Sequence, residues 1–183
     1  ETFDAPSFDS RLEWFNPPLT WRIDHSHLIV RSEAKSDFWQ RTHYGFVADS
    51  GHFLFARVSG DFRMTTQVRF HPANQYDQAG LMVRLSPQCW LKTSAEFEPV
   101  EADKLGVVVT NGGYSDWSVQ DFHDDQLTLR VRREGSDYMV EYLSAGTPAD
   151  PHWTLMRVAH LHDDDGQMPV MCGLYACSPV GEG

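Results

Sequence analysis

A chain of 183 residues with 41% hydrophobic and 13% aromatic residues is composed like a globular domain with a two-layer core, not like a disordered segment. Its formal net charge of −11 repels polyphosphate and anionic lipid, which argues against nucleic acid and membrane surfaces as partners. No apolar run approaches the roughly 20 residues that span a bilayer.

The N-terminus, Glu1-Thr2-Phe3-Asp4, has neither a basic region nor an apolar leader and lacks an initiator Met. The expectation is one cytoplasmic β-domain over residues 1–183. Alternation with a period of two recurs along nearly the whole chain, and no long helical period does. The first thirty residues read as three antiparallel segments: Leu12–Phe15, Leu19–Asp24 and Leu28–Ser32. Asn16-Pro17-Pro18 forces a turn between the first two. Phe38–Tyr44 is polar and aromatic without a period, and reads as a loop over one edge of a sandwich. Trp39 and Tyr44 there either plug a sandwich end or line a ligand groove.

Further strands are expected at Phe53–Val58, Phe62–Phe70, Ala79–Ser86, Cys89–Phe97, Leu105–Thr110, Trp117–Gln120, Leu127–Arg133, Tyr138–Ser144, Trp153–His160 and Val170–Cys177. Ser59-Gly60-Asp61, Asn111-Gly112-Gly113, Glu134–Asp137 and Asp163–Gly166 carry the Gly, Asn and Asp that tight turns favour. Many short strands punctuated in this way indicate an all-β sandwich or barrel.

The hairpin around Ser86-Pro87-Gln88 carries the functional argument. Alternate side chains of a strand point to opposite faces. Ala79, Leu81, Val83 and Leu85, with Leu91, Thr93, Ala95 and Phe97, make a core side. Gln78, Met82, Arg84, Trp90, Lys92 and Glu96 then share the other side. In later strands Thr128, Arg130 and Arg132 turn away from Leu127, Leu129 and Val131, and Glu141 stands beside Arg130. Trp117 lies between Ser115, Asp116 and Ser118. If these strands adjoin the hairpin, one face presents Gln78, Arg84, Trp90, Lys92, Glu96, Trp117, Arg130 and Glu141. Indoles pack on the apolar faces of sugars, while cations, amides and carboxylates bond ring hydroxyls. That face suits a neutral or acidic carbohydrate. A solvated face laced with cross-strand ion pairs is the plainer alternative.

Five ordered stretches carry a resemblance that covers nearly the whole chain. They are Tyr76–Met82, Trp90–Thr93, Val107–Asn111, Tyr114–Ser118 and Gly173–Pro179. Together they resemble a concanavalin A-like β-sandwich family that includes the "regulation of enolase" protein. The Gln78–Leu81 element is also similar to the C-terminal sandwich of family 43 β-xylosidases. The resemblance implies a jelly-roll sandwich of two curved antiparallel sheets, with the polar face on the concave sheet, and implies no established activity.

Other chemistries are weaker. Glu96-Phe97-Glu98-Pro99-Val100-Glu101 is loosely similar to the Glu-x-Asp-x-x-Glu of retaining glucanases, but Pro99 breaks the strand. Glu96 with Glu141 is a second conceivable acid pair. His160-Leu161-His162 followed by three Asp residues suggests a metal site, although consecutive acids before Gly166 are more typical of a hydrated turn. No metal, cofactor or nucleophile motif is expected. Three cysteines are too few for a disulfide framework; Cys172 and Cys177 fall on opposite faces and read as reduced, buried thiols. The reading is therefore a carbohydrate-binding domain. The alternatives are a regulatory protein-interaction domain using the same face or the Phe38–Tyr44 loop, or a glycoside hydrolase.

Overall fold

A computed structural model describes residues 1–124, 126–147 and 150–181, and every regular element among them is a β-strand. In chain order the strands are β1 (Glu13–Phe15), β2 (Thr20–Asp24), β3 (His27–Arg31), β4 (Phe38–Gln40), β5 (Val47–Asp49), β6 (His52–Val58), β7 (Phe62–Arg69) and β8 (Gln78–Ser86). They continue as β9 (Cys89–Glu96), β10 (Asp103–Asn111), β11 (Tyr114–Phe122), β12 (Gln126–Glu134), β13 (Asp137–Thr147), β14 (Asp150–His160) and β15 (Val170–Cys177). A seven-stranded sheet runs β1-β6-β15-β8-β9-β10-β11, and a four-stranded sheet runs β14-β13-β12-β7. Both are antiparallel. The pairs β2–β3 and β4–β5 stand apart as small hairpins.

The side chains that alternation assigns to the interior fill the space between the two sheets. Leu81, Val83, Leu91, Ala95, Leu105, Val107 and Val109 of the larger sheet meet Leu127, Leu129, Val131, Tyr138 and Val140 of the smaller. The anticipated turns are present, and Gly60, Gly112, Gly113, Gly135 and Gly166 all have positive φ in them. Cys172 belongs to this inner core and Cys177 to the opposite side of the same strand, both buried and unpaired.

The acidic turn after His160 departs from expectation. Asp164 points inward, fully buried, and binds the Arg133 guanidinium and the Tyr138 hydroxyl. Asp165 accepts bonds from the backbone N–H of Gln167 and Met168. The acids therefore fasten the turn rather than converge on a cation, and no cluster suited to a metal gathers among the described residues.

A second apolar cluster lies on the outer face of the seven-stranded sheet. Phe53, Phe55, Met82, Trp90, Val108, Tyr175 and Cys177 are roofed by Phe38 and Trp39. Phe38–Gln40, expected to be a loop, is thus a strand. The β4–β5 hairpin lies across the sheet and buries the upper part of the face that the sequence left open. β1 likewise pairs with β6, not with β2.

Candidate functional site

The strand parity of the central hairpin is as expected. Gln78, Arg84, Trp90, Lys92 and Glu96 all share the outer face, and Trp117 joins them because it pairs with Val108, which pairs with Lys92. What covers that face changes the chemistry. Trp90 is 0% exposed, its indole N–H donating to the Pro87 carbonyl at 3.1 Å. It is a core ring and presents no surface for a ligand to stack on.

The two cations on this face are held by the hairpin above them. Lys92 Nζ lies 3.1 Å from Asp37 Oδ1 and 2.8 Å from Gln78 Oε1. Arg84 Nη2 lies 2.7 Å from Asp49 Oδ2, and the guanidinium sits over the Phe15 ring. Asp37 immediately precedes β4 and Asp49, which pairs with Phe38, ends β5, so the two ion pairs fasten the open end of the hairpin to the sheet. Burial pushes the Arg84 group down and Asp49 up, each opposed by its partner. Burial works against the charged form of Lys92, yet the surrounding acidic groups, Asp37 foremost, together outweigh it and hold its ammonium above the ordinary value.

Glu96 stands at the half-buried margin of the network, where Gln78 Nε2 donates to its Oε2 at 3.0 Å. Burial raises its carboxyl to about 7, with Lys92 only partly opposing. β9 ends at Glu96, so strand alternation does not carry on to Glu98 and Glu101. Glu98 accepts from Gln75 and Glu101 pairs with Lys104, which leaves no hydrolase-like row of acids.

Arg130 and Glu141 are elsewhere. Their strands, β12 and β13, belong to the four-stranded sheet, and both side chains point away from the sandwich core. Arg130 Nε lies 2.7 Å from Glu141 Oε2, Arg132 Nε lies 3.1 Å from the same oxygen, and Arg130 also covers the Trp153 ring. Burial raises Glu141, but the hydrogen bonds from both arginines outweigh it and hold the carboxyl below its ordinary value. The expected continuous face is therefore two faces on opposite sides of the molecule, and Glu96 with Glu141 is no acid pair. The cause is connectivity: after β11, at the edge of the seven-stranded sheet, the chain passes to β12, which pairs with β7 in the other sheet.

Trp117 alone among the expected ligand residues keeps an open aromatic face, at 37% exposure. Its indole lies against Gly106, where an added Cβ would come within 2.7 Å of Nε1. β11 is an edge strand of its sheet. A cleft of about 870 Å³ wraps this edge, lined by Trp39 of β4, by Thr42, His43 and Tyr44 of the β4–β5 turn, by Tyr114–Trp117 from β11, and by Arg157–His160 from β14. Tyr114 and Tyr44 are 63% and 56% exposed, and Trp39 meets Tyr44 edge to face at 5.4 Å.

Polar groups alternate with these rings. Arg157 lies 3.1 Å from both Asp116 Oδ1 and Ser118 Oγ, and Asn111 also lines the cleft. The volume lies within the range of small-molecule sites. The Phe38–Tyr44 and Tyr114–Ser118 stretches are each conspicuous in the sequence, but their meeting across a sheet edge has no sequence signal.

A family model described as "Protein of unknown function (DUF1349)" matches residues 14–183. "Regulation of enolase protein 1" of Saccharomyces cerevisiae is 33% identical over 168 residues, which are 91% of this chain and 80% of that protein. The crystal structure of a functionally unknown protein from Saccharomyces cerevisiae superposes with a TM-score of 0.82 at 31% identity, covering 93% of this chain and 89% of that one. A GH43 protein from Bacillus licheniformis gives a TM-score of 0.76 at 18% identity, covering 100% of this chain and 36% of that one. A xylan β-1,4-xylosidase from Bacillus halodurans gives 0.74 at 14% identity, covering 98% and 35% respectively. The likeness to these two longer proteins is one of fold, over about a third of their length.

Proposed function

We propose that this chain, which belongs to the DUF1349 family of proteins of unknown function, binds a carbohydrate in the cleft around β11. One observation carries the reading: Trp39, Tyr44, Tyr114 and Trp117, drawn from two separate elements, converge on one open cleft among polar side chains. Aromatic rings offer apolar plates to the C–H faces of a pyranose, and Asn111, Asp116 and Arg157 supply donors and acceptors for its hydroxyls. Trp117, Tyr114 and Tyr44 are the stacking residues in this account. Trp90, Lys92 and Arg84 support the site from beneath by holding the hairpin that carries Trp39 and Tyr44. The occurrence of this sandwich inside GH43 proteins supports a saccharide as the class of ligand.

A glycan array followed by calorimetry tests the proposal, starting with xylo-oligosaccharides and β-1,3-gluco-oligosaccharides. Binding should weaken about tenfold or more in Trp117→Ala, with the melting temperature nearly unchanged. A wild-type protein that responds to no glycan would overturn the reading. A protein-docking role is the second reading, favoured by Phe46 and Val47, which stand 46% and 56% exposed beside Tyr44. A partner lost in Phe46→Asp but retained in Trp117→Ala would select it.

A further inference from the structure

The turn that joins β4 to β5 has an unusual backbone. Arg41 and His43 have φ of 52° and 63°, and Gly45 has φ of 74°, so three alternate residues lie in the left-handed region. The N–H of Thr42 donates to the Gln40 carbonyl at 2.6 Å, and that of Tyr44 to the Thr42 carbonyl at 2.7 Å. These are consecutive γ-turns centred on Arg41 and His43, in the rare form whose central φ is positive. Non-glycine residues resist that conformation, and such strain persists only where surrounding contacts over-determine it.

Those contacts are visible. Arg41 N–H donates to Phe46 O at 2.8 Å, and Gly45 N–H to Arg41 O at 2.7 Å. The Trp39 indole N–H donates to the Thr42 carbonyl at 3.1 Å, and Arg41 Nη1 reaches Gly113 O at 2.9 Å on the β10–β11 turn. The loop is thereby braced against its own hairpin and against the β10–β11 turn. Thr42 lines the cleft, and its buried hydroxyl has no hydrogen-bond partner.

We infer that the Arg41–Phe46 loop is a prestrained clamp: its two γ-turns hold Tyr44 as an aromatic wall for the bound sugar. This rests on the carbohydrate reading and adds the residues that position and select the ligand. A wall preformed in this way loses less conformational freedom on binding than a mobile one.

The test compares His43→Gly with His43→Asn. Glycine adopts positive φ without strain and frees the loop, whereas asparagine tolerates the left-handed conformation yet removes the imidazole. With a xylo- or β-1,3-gluco-oligosaccharide that binds the wild type, His43→Gly should bind at least fivefold more weakly while melting no lower than the wild type. His43→Asn should bind within twofold of the wild type. Equal weakening in both His43 variants would assign the effect to the imidazole and overturn the clamp. Unchanged affinity in His43→Gly would overturn it too, with the carbohydrate reading intact. Absence of any wild-type binding would remove both.

Discussion

Trp90 and Trp117 sit on the same face of the same sheet and have opposite fates. Sequence alternation placed them on one side correctly, because parity depends only on counting along a strand. It did not reveal that Phe38 would close over one ring and leave the other in a cleft, because parity says nothing about what packs on a face. Trp90→Ala is accordingly a stability variant. It should lower the unfolding free energy by about 3–5 kcal/mol in chemical denaturation, as large core truncations do. A loss below about 1 kcal/mol would contradict its role in the second core. Lys92→Ala should be comparably damaging, by about 3–5 kcal/mol, because it strands Asp37 without its partner.

Glu96 adds a pH dependence of definite sign. Its folded value of about 7 lies above the ordinary 4.5, because burial penalises the charged form. The stability associated with the neutral carboxyl is fully present below about pH 4.5 and is lost as pH rises to and through 7, after which it changes no further. Glu96→Gln should therefore gain on the wild type across that window, by on the order of 2 kcal/mol at pH 8. Parallel stability profiles for the two proteins would show that Glu96 titrates normally.

At the scale of elements, the β4–β5 hairpin is what the sequence concealed. Its first strand is three residues long and buried throughout, so it shows no alternation, and a short Phe-Trp-Gln run reads equally well as a loop. Hairpins such as β8–β9 were legible because one side is apolar over several residues and the turn chemistry is explicit. The seat of Trp117 on β10 offers an element-level test. Gly106→Ala should push the indole aside, weakening sugar binding several-fold, with little change in stability because the displaced group is the end of a side chain. Unaltered affinity would mean that the indole does not contact the ligand. Under the hairpin, Gly51→Ala would press a methyl group into Phe38 and Cys177 Sγ, and overpacking of this kind destabilises by about 1–3 kcal/mol in thermal unfolding.

On the scale of the whole molecule, the all-β sandwich was legible from strand spacing and turns, but the grouping of strands into sheets was not. β11 and β12 follow one another in the chain but belong to different sheets, which separates Arg130 and Glu141 from the face they were expected to complete. No local pattern marks such a crossing. The resulting molecule covers one half of its predicted binding face with its own hairpin and leaves an aromatic cleft where that hairpin meets the sheet edge. The six tryptophans supply a direct readout of this division. In a ¹⁵N-indole NMR titration with a binding oligosaccharide, the Trp117 and Trp39 resonances should shift in proportion to saturation while Trp90 stays still; a shift confined to Trp90, or spread equally over every indole, would contradict a ligand seat at the β11 edge.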